Sequence, residues 1–337
     1  MPRGIFVMRL VLVVKWSAED WFKRHSPLNA ALYFLGRNVK NLILVVDESG
    51  AKGYSDQPEK FFGETGVMAG FLFHEDDYHE HEINLNLLRT RYLSDGKLHI
   101  TDLDFNSQSQ MREDVFKYLI DNEVVCVFEA IYSEGFYKVA QENLERSHRL
   151  KQQRKSKIKL SGNDKKEMLH AQLFQGVFGK AVAYGLDTIG ENYSILVKTD
   201  FVDDGVLSKL TMSADEVLNV GEARTKTVTG WDPDESKVVS GSISSQISDP
   251  AGVLGDFSGI SYEVEREDSA FTLVADVISN TLYRHLANRP KEEATLPLNY
   301  ESSIPKDMDD VIFYGISDEN DPPYYSDIIF RHPERKI

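Results

Sequence analysis

The chain has 337 residues, of which 41% are hydrophobic, so it is longer than one average domain and can bury a large core. Its single cysteine, Cys126, excludes an internal disulfide and is typical of a reducing compartment, so we expect a cytoplasmic protein. A formal net charge of −16, from 54 acidic and 38 basic residues, excludes a surface that is basic throughout but is compatible with a local basic groove.

Residues 1–40 are predicted to form an extension placed before the main domain. Their first apolar run is interrupted by Arg9 and is too short to cross a bilayer. No small-residue cleavage site follows this run, so a signal peptide is not expected. Ser17 resembles a helix N-cap and predicts a helix that ends near residue 35. We therefore expect no membrane partner.

From residue 41 onward, strand patterns alternate with helix patterns. Apolar, β-branched runs predict strands over 42–48, 61–73, 124–132, 193–200, 223–229 and 237–246. Amphipathic segments predict helices over 83–94, 111–122, 134–147, 166–186 and 268–287. This order predicts an α/β domain over residues 41–288, with a mixed sheet flanked by helices, followed by a C-terminal tail over 289–337.

Three carboxylates occur where the pattern predicts burial. Asp47 and Asp200 each end an apolar strand, and Asp276 interrupts an apolar helix. Any one of them alone is explained by a structural role, such as a cap, a turn or a salt bridge. Together they predict a metal centre, because carboxylates in a partly dry site repel one another unless a cation neutralises them. Mg²⁺ or Mn²⁺ is the expected ion, since both take oxygen ligands and leave positions for water and phosphate.

Three further residues are candidates for the same site. Glu48 follows Asp47, but strand alternation turns it away, so it is a base, a ligand or only a turn acid. His99 and Asp102 lie three residues apart and would share one face of a helical turn. Asp102 is then a candidate fourth metal ligand, with His99 beside it. The alternative is that Asp102 caps the next turn and His99 is a surface residue.

Four motifs, in this order, resemble the domain of unknown function 3800 family. They are Asp-Glu-Ser-Gly from Asp47, His-Ile-Thr-Asp-Leu from His99, Val-Lys-Thr-Asp from Val197 and Leu-Val-Ala-Asp from Leu273. The resemblance covers about residues 41–288, although the late helix begins with Phe-Thr-Leu where a Gly-Leu-Gln-type sequence is expected. It implies a ribonuclease H-like fold with a five-stranded mixed sheet. It also implies a metal held by the acids of the first strand, the later parallel strand and the final helix.

Basic residues concentrate in a predicted helical insertion over 146–166, against the acidic balance of the whole chain. We interpret this basic insertion as an arm that holds a phosphate backbone. The alternative is a solvated loop, because blocks of like charge are often mobile. The predicted nucleic-acid contacts are Arg149, Lys151, Arg154, Lys155, Lys157 and Lys159.

The sequence thus predicts a metal-dependent nuclease that hydrolyses phosphodiester bonds of DNA or RNA. The catalytic candidates are Asp47, Glu48, His99, Asp200 and Asp276, and the metal candidates are Asp47, Asp102, Asp200 and Asp276. The chain has no glycine-rich nucleotide loop and no nucleophile elbow. Two other functions stay open, namely a non-catalytic module that binds nucleic acid or protein, and a phosphatase or nucleotidase with a small substrate. The tail either docks on the domain or supports self-association.

Overall fold

The computed structural model describes residues 41–93, 96–153, 159–160, 168–219, 224–245, 257–315 and 329–335. The helix predicted near residues 17–35 lies outside these ranges. No helix within them combines the length and the apolar composition that a membrane span requires.

The described residues contain eight strands in two sheets. The strands are β1 (Asn41–Gly50), β2 (Thr65–His74), β3 (Val125–Tyr132), β4 (Lys159–Leu160), β5 (Tyr193–Thr199), β6 (Arg224–Asp232), β7 (Lys237–Ser245) and β8 (Ile260–Arg266). The larger sheet has five strands in the order β3-β2-β1-β5-β8, and the smaller sheet has the order β4-β6-β7. In the larger sheet β2 is antiparallel to β1 and β3, whereas β1, β5 and β8 run parallel. The large sheet is therefore mixed, with β1 at its centre.

Helices flank both faces of the large sheet. Within the described ranges they are α1 (Tyr78–Arg89), α2 (Phe105–Asp121), α3 (Ser133–Gln153), α4 (Leu169–Thr188), α5 (Asp204–Leu218), α6 (Ala270–Ala287) and α7 (Tyr300–Ser303). Short 3-10 turns occur at Glu75–Asp77, Ile100–Asp102 and Lys306–Met308. The predicted α/β class and the five-stranded mixed sheet are confirmed.

The alternation of β1 divides the core into two clusters. Ile43 and Val45 pack in the cluster that contains the buried face of α6, whereas Leu44 and Val46 pack in the cluster that contains α4. Successive side chains of a strand point to opposite faces of the sheet, so the same alternation gives the faces of the next two residues of β1. Asp47 continues the α6 face of the sheet, and Glu48 continues the α4 face.

Four of these helices and strands were not predicted from the sequence pattern, namely the short elements β4 and α7 and two longer elements. One is α5, and the other is β8, a sheet-edge strand in which only Ile260 is buried. The other residues of β8 alternate between apolar and charged types, so the strand lacks the continuous apolar run that marks β1 and β5. The helix predicted over 83–94 begins earlier, at Tyr78, and ends at Arg89.

The C-terminal tail contributes to the core. Met308, Val311 and Phe313 are buried in the α6 cluster. Phe313 forms a parallel bridge with Cys126 of β3, whose amide donates to the carbonyl of Ile312. The described part of the tail thus docks on the domain, which is one of the two alternatives that the sequence left open.

Candidate functional site

Asp47 and Asp200 meet at one edge of the large sheet. β1 and β5 are parallel, and Val46 pairs with Thr199, so the next residue of each chain segment is an aspartate. Asp47 is 7% exposed. The turn that follows β1 requires Gly50, whose φ is +87° and at which a Cβ would lie 2.5 Å from Tyr283. Parallel pairing of β1 and β5 therefore brings the two acids to the same edge of the sheet.

Asp276 reaches this edge from α6. The helix starts at Ser269, whose hydroxyl accepts hydrogen bonds from the amides of Phe271 and Thr272. The Asp276 side chain, two turns further on, is 14% exposed. The hydroxyl of Ser279, one turn beyond Asp276, donates to Oδ2 of Asp47 at 3.4 Å. This contact joins α6 directly to the acid of β1.

The loop before α2 supplies a histidine to the same acids. Ile100 is completely buried, and its amide donates to Oδ2 of Asp276 at 2.8 Å. This anchor places His99 Nδ1 3.6 Å from Asp276 Oδ2 and His99 Nε2 3.9 Å from Asp200 Oδ2. Lys97 Nζ lies 2.8 Å from the same Asp200 oxygen. One imidazole ring therefore lies within 4 Å of two of the three predicted acids.

The acids repel one another electrostatically. Burial raises the pKa of Asp47 well above its usual value, and the charges of Glu48, Asp276 and Asp200 raise it further. Burial also raises the pKa of Asp276, although the hydrogen bond from the Ile100 amide opposes this shift. Both shifts mean that the site favours an added proton or cation.

The donor set suits a hard divalent cation, because carboxylate oxygens are the ligands that Mg²⁺ and Mn²⁺ prefer. The arrangement is not that of a preformed metal centre. Among the residues that the structure describes, no three Asp, Glu, His or Cys side chains form a group ready to hold an ion. Lys97 and His99 lie against Asp200 instead. Side-chain movement at Asp200 would therefore accompany the binding of a cation.

Glu48 belongs to a neighbouring group on the α4 face. Its carboxylate accepts a hydrogen bond from Lys52 Nζ at 3.1 Å. Burial lowers the pKa of Lys52, but the Glu48 charge outweighs this effect and the net shift is upward. His170, the second residue of α4, is buried, and this burial lowers its pKa. Glu48 thus has a cationic partner of its own, which Asp47 lacks among its described contacts.

The side chain of Asp102 caps the 3-10 turn at Ile100–Asp102. The residue is exposed, and its Oδ2 accepts a hydrogen bond from the His99 amide at 3.0 Å. It therefore stabilises the turn that carries His99. The side chain of His99, rather than that of Asp102, lies against Asp200 and Asp276.

The predicted nucleic-acid contacts are described only in part. Arg149 lies in α3, is exposed, and is 3.9 Å from Glu145 one turn earlier. Lys151 also belongs to α3, and Lys159 belongs to β4. Arg154, Lys155 and Lys157 lie outside the described residues. The assignment of these six residues to nucleic acid stays a prediction.

Sequence reasoning missed Lys97 and Ser279 as neighbours of the acids. A local signal existed for Ser279, because positions three apart on a helix share a face and Asp276 was already a candidate. No such signal exists for Lys97, whose contact with Asp200 depends on the tertiary position of the loop.

Comparison of the chain with protein-family models, with curated proteins and with solved structures finds no match in any of the three. The resemblance carried by the four sequence motifs stays a prediction.

Proposed function

We propose that this protein is a metal-dependent nuclease with a ribonuclease H-like fold. One observation carries the proposal: acids from a central strand, a parallel strand and the last long helix meet at one sheet edge. Ser279 of α6 contacts the Asp47 carboxylate, and the ring of His99 lies within 4 Å of both Asp200 and Asp276. The large sheet, with β1 between an antiparallel and a parallel neighbour, supports the arrangement that the family resemblance implies.

Each residue of the site has a defined role in this proposal. Asp47, Asp200 and Asp276 hold Mg²⁺ or Mn²⁺. Such an ion supplies Lewis-acid activation for phosphodiester hydrolysis. His99 is partly exposed and adjacent to two of the acids, so it is placed to exchange a proton with substrate or water. Lys97 offsets negative charge at Asp200 and attracts a phosphate to the same edge.

The small sheet offers a surface for nucleic acid. Lys159 of β4 pairs in register with Trp231 of β6. Trp231 is 45% exposed, and an exposed indole can stack on a base. A basic segment beside an exposed aromatic residue is the usual composition of a surface that binds a single strand. This pairing supports assigning the basic insertion to substrate binding.

The decisive test is cleavage of labelled single- and double-stranded DNA and RNA, with Mn²⁺ or with EDTA. We expect cleavage with Mn²⁺ and none with EDTA. Asp47→Asn should lower the rate by about 100-fold or more, because it removes one carboxylate of the site. The matched control is Asp121→Asn, which makes the same change at an exposed position paired with Lys117. This control should cleave like the wild type.

Three other results of the cleavage assay would contradict the proposed nuclease mechanism or favour another function. Cleavage that persists in EDTA or in Asp47→Asn would contradict the metal mechanism. Binding of nucleic acid without cleavage of any polymer would favour a non-catalytic module. Release of phosphate from nucleotides, without polymer cleavage, would favour a phosphatase or nucleotidase that uses the same acids.

A further inference from the structure

A second polar site lies on the α4 face of the sheet, next to Glu48. There, a small cleft that is open to solvent is lined by residues that include Lys52, Lys60, Glu64, Ser133 and Leu169. We name it the α3/α4 cleft, because Ser133 and Leu169 are the first residues of those helices.

The charges around the α3/α4 cleft favour an anion. The N-termini of two long helices, of 21 and 20 residues, meet at its wall. Each N-terminus carries the positive end of a helix dipole. Lys60 adds one positive side chain, Lys52 adds a second that it shares with the Glu48 carboxylate, and Glu64 is the one acid among the residues that line the cleft. The Glu64 carboxylate is itself bound by the amide of Lys60 at 2.8 Å.

The wall of the cleft also contains a buried polar atom with no protein partner. Ser133 is 8% exposed, and its Oγ has no hydrogen-bond partner in the part of the chain that the structure describes. Leaving such groups unsatisfied costs stability, so their retention at a cleft indicates a ligand that supplies the missing hydrogen bond.

The α3/α4 cleft is adjacent to the acidic site. Lys52 lines the cleft, and its Nζ donates to the carboxylate of Glu48, the residue after Asp47. A substrate that extends along the segment from Asp47 to Lys52 would contact both the acidic site and the α3/α4 cleft. A polymer of phosphodiesters has the necessary repeat of negative charges.

We propose that the α3/α4 cleft is a phosphate subsite, which binds a phosphate group of the substrate other than the one that is hydrolysed. Lys60 and Lys52 supply the charge, Ser133 Oγ supplies a hydrogen-bond donor, and the positive ends of the two helix dipoles favour an anion at the same wall. This assignment rests on the proposed nuclease function for the identity of the substrate, but the binding of phosphate can be measured without cleavage.

The experiment measures the affinity of the full chain for inorganic phosphate, in EDTA, by ³¹P NMR titration or calorimetry. Lys60→Glu should weaken binding by about tenfold or more, since it replaces a charge-assisted contact by repulsion. Ser133→Ala should weaken binding by a smaller factor, of about two- to fivefold, since one neutral donor is lost. The control Lys117→Glu makes the same charge reversal at an exposed lysine on α2 and should bind like the wild type. Thermal melts of each variant check that the fold is intact, and Lys60→Ala repeats the test without an added negative charge.

The outcomes separate this proposal from the nuclease proposal. Absence of phosphate binding by the wild type, or equal affinity in Lys60→Glu and Lys117→Glu, would overturn the subsite. Asp47→Asn should keep its phosphate affinity, because Asp47 lies on the other face of the sheet. Loss of phosphate affinity in Asp47→Asn, with Lys60→Glu unaffected, would place the phosphate at the acidic site and overturn the subsite. Phosphate binding that depends on Lys60, in a protein that cleaves nothing, would support the subsite and contradict the nuclease.

Discussion

Two carboxylates are buried in the same sheet, on opposite faces, and their neighbours have opposite charge. Glu129 of β3 is 1% exposed and forms an ion pair with Lys180 of α4. Asp47 of β1 is 7% exposed and is surrounded by the carboxylates of Glu48, Asp200 and Asp276. The charge of Glu129 is therefore compensated by a cation, whereas the charge of Asp47 is repelled by the neighbouring carboxylates.

The sequence of α4 leaves room for the Glu129 side chain and for its ion pair with Lys180. Gly176 of α4 faces Glu129, and a Cβ at this position would lie 2.6 Å from the glutamate side chain. Lys180, one turn later, also donates to the carbonyl of Phe128. Nothing comparable compensates Asp47, whose only hydroxyl contact among the described residues is the long one from Ser279. A buried charge with a fitted partner stabilises the fold, whereas a buried charge among like charges is the arrangement to which we assign cation binding in our proposal.

The largest effect on the free energy of unfolding is expected from breaking the ion pair between Glu129 and Lys180. Lys180→Met removes the cation that forms the ion pair with the buried Glu129 carboxylate. We expect a loss of about 3–5 kcal/mol in the free energy of unfolding, because the buried Glu129 carboxylate then loses the charge of Lys180. Urea denaturation of wild type and variant measures the difference.

The control for this change is the double variant Glu129→Gln with Lys180→Met. It removes both charges and should recover most of the stability that the single variant loses. A loss below about 1 kcal/mol in the single variant, which is the scale of exposed ion pairs, would show that the pair is not buried in solution.

Asp47→Asn is expected to change the free energy of unfolding by a smaller amount and in the opposite direction, so that the variant is more stable at neutral pH. The folded-state pKa of Asp47 is raised, so the folded protein binds more protons than the unfolded chain. The charged carboxylate therefore destabilises the fold at neutral pH, and the penalty disappears as the pH falls below the unfolded pKa of about 3.9. Asp47→Asn should raise the stability at pH 7 by the order of 1 kcal/mol, and should lose this gain in acid.

Thermal melts between pH 3.5 and pH 7.5 check this prediction, with Asp121→Asn as the exposed control. Added Mn²⁺ should raise the Tm of the wild type and should raise that of Asp47→Asn less, because the ion binds only the folded site. A variant that is less stable than the wild type at pH 7 would show that the Asp47 charge is compensated after all.

The contrast between the two regions also explains what the sequence could predict. Asp47, Asp200 and Asp276 interrupt apolar patterns, and this local signal suffices to identify them as candidates. Glu129 interrupts a strand in the same way, but its partner Lys180 lies 51 positions away and becomes apparent only in the fold. Local patterns therefore mark buried acids without showing which of them are paired.

The remaining omissions have the same physical origin. Lys97 contacts Asp200 because Ile100 anchors its loop in the core, and the loop sequence has no periodicity that predicts this. Met308 and Val311 are core residues that belong to a segment with little regular structure, so no helix or strand pattern identifies them. Long-range packing decides these positions.

The smallest effect on stability is expected from Asp102→Asn, a change that distinguishes a carboxylate with a structural role from a metal ligand. Asp102→Asn keeps an oxygen that can accept the hydrogen bond from the His99 amide, so stability should change by less than about 0.5 kcal/mol. Asp102→Ala removes this cap and should cost about 0.5–2 kcal/mol. Calorimetric titration with Mn²⁺ should give wild-type affinity for Asp102→Asn and weaker binding for Asp47→Asn. Equal weakening in both variants would instead make Asp102 a fourth ligand, because its charge, and not its capping oxygen, would then be what the site requires.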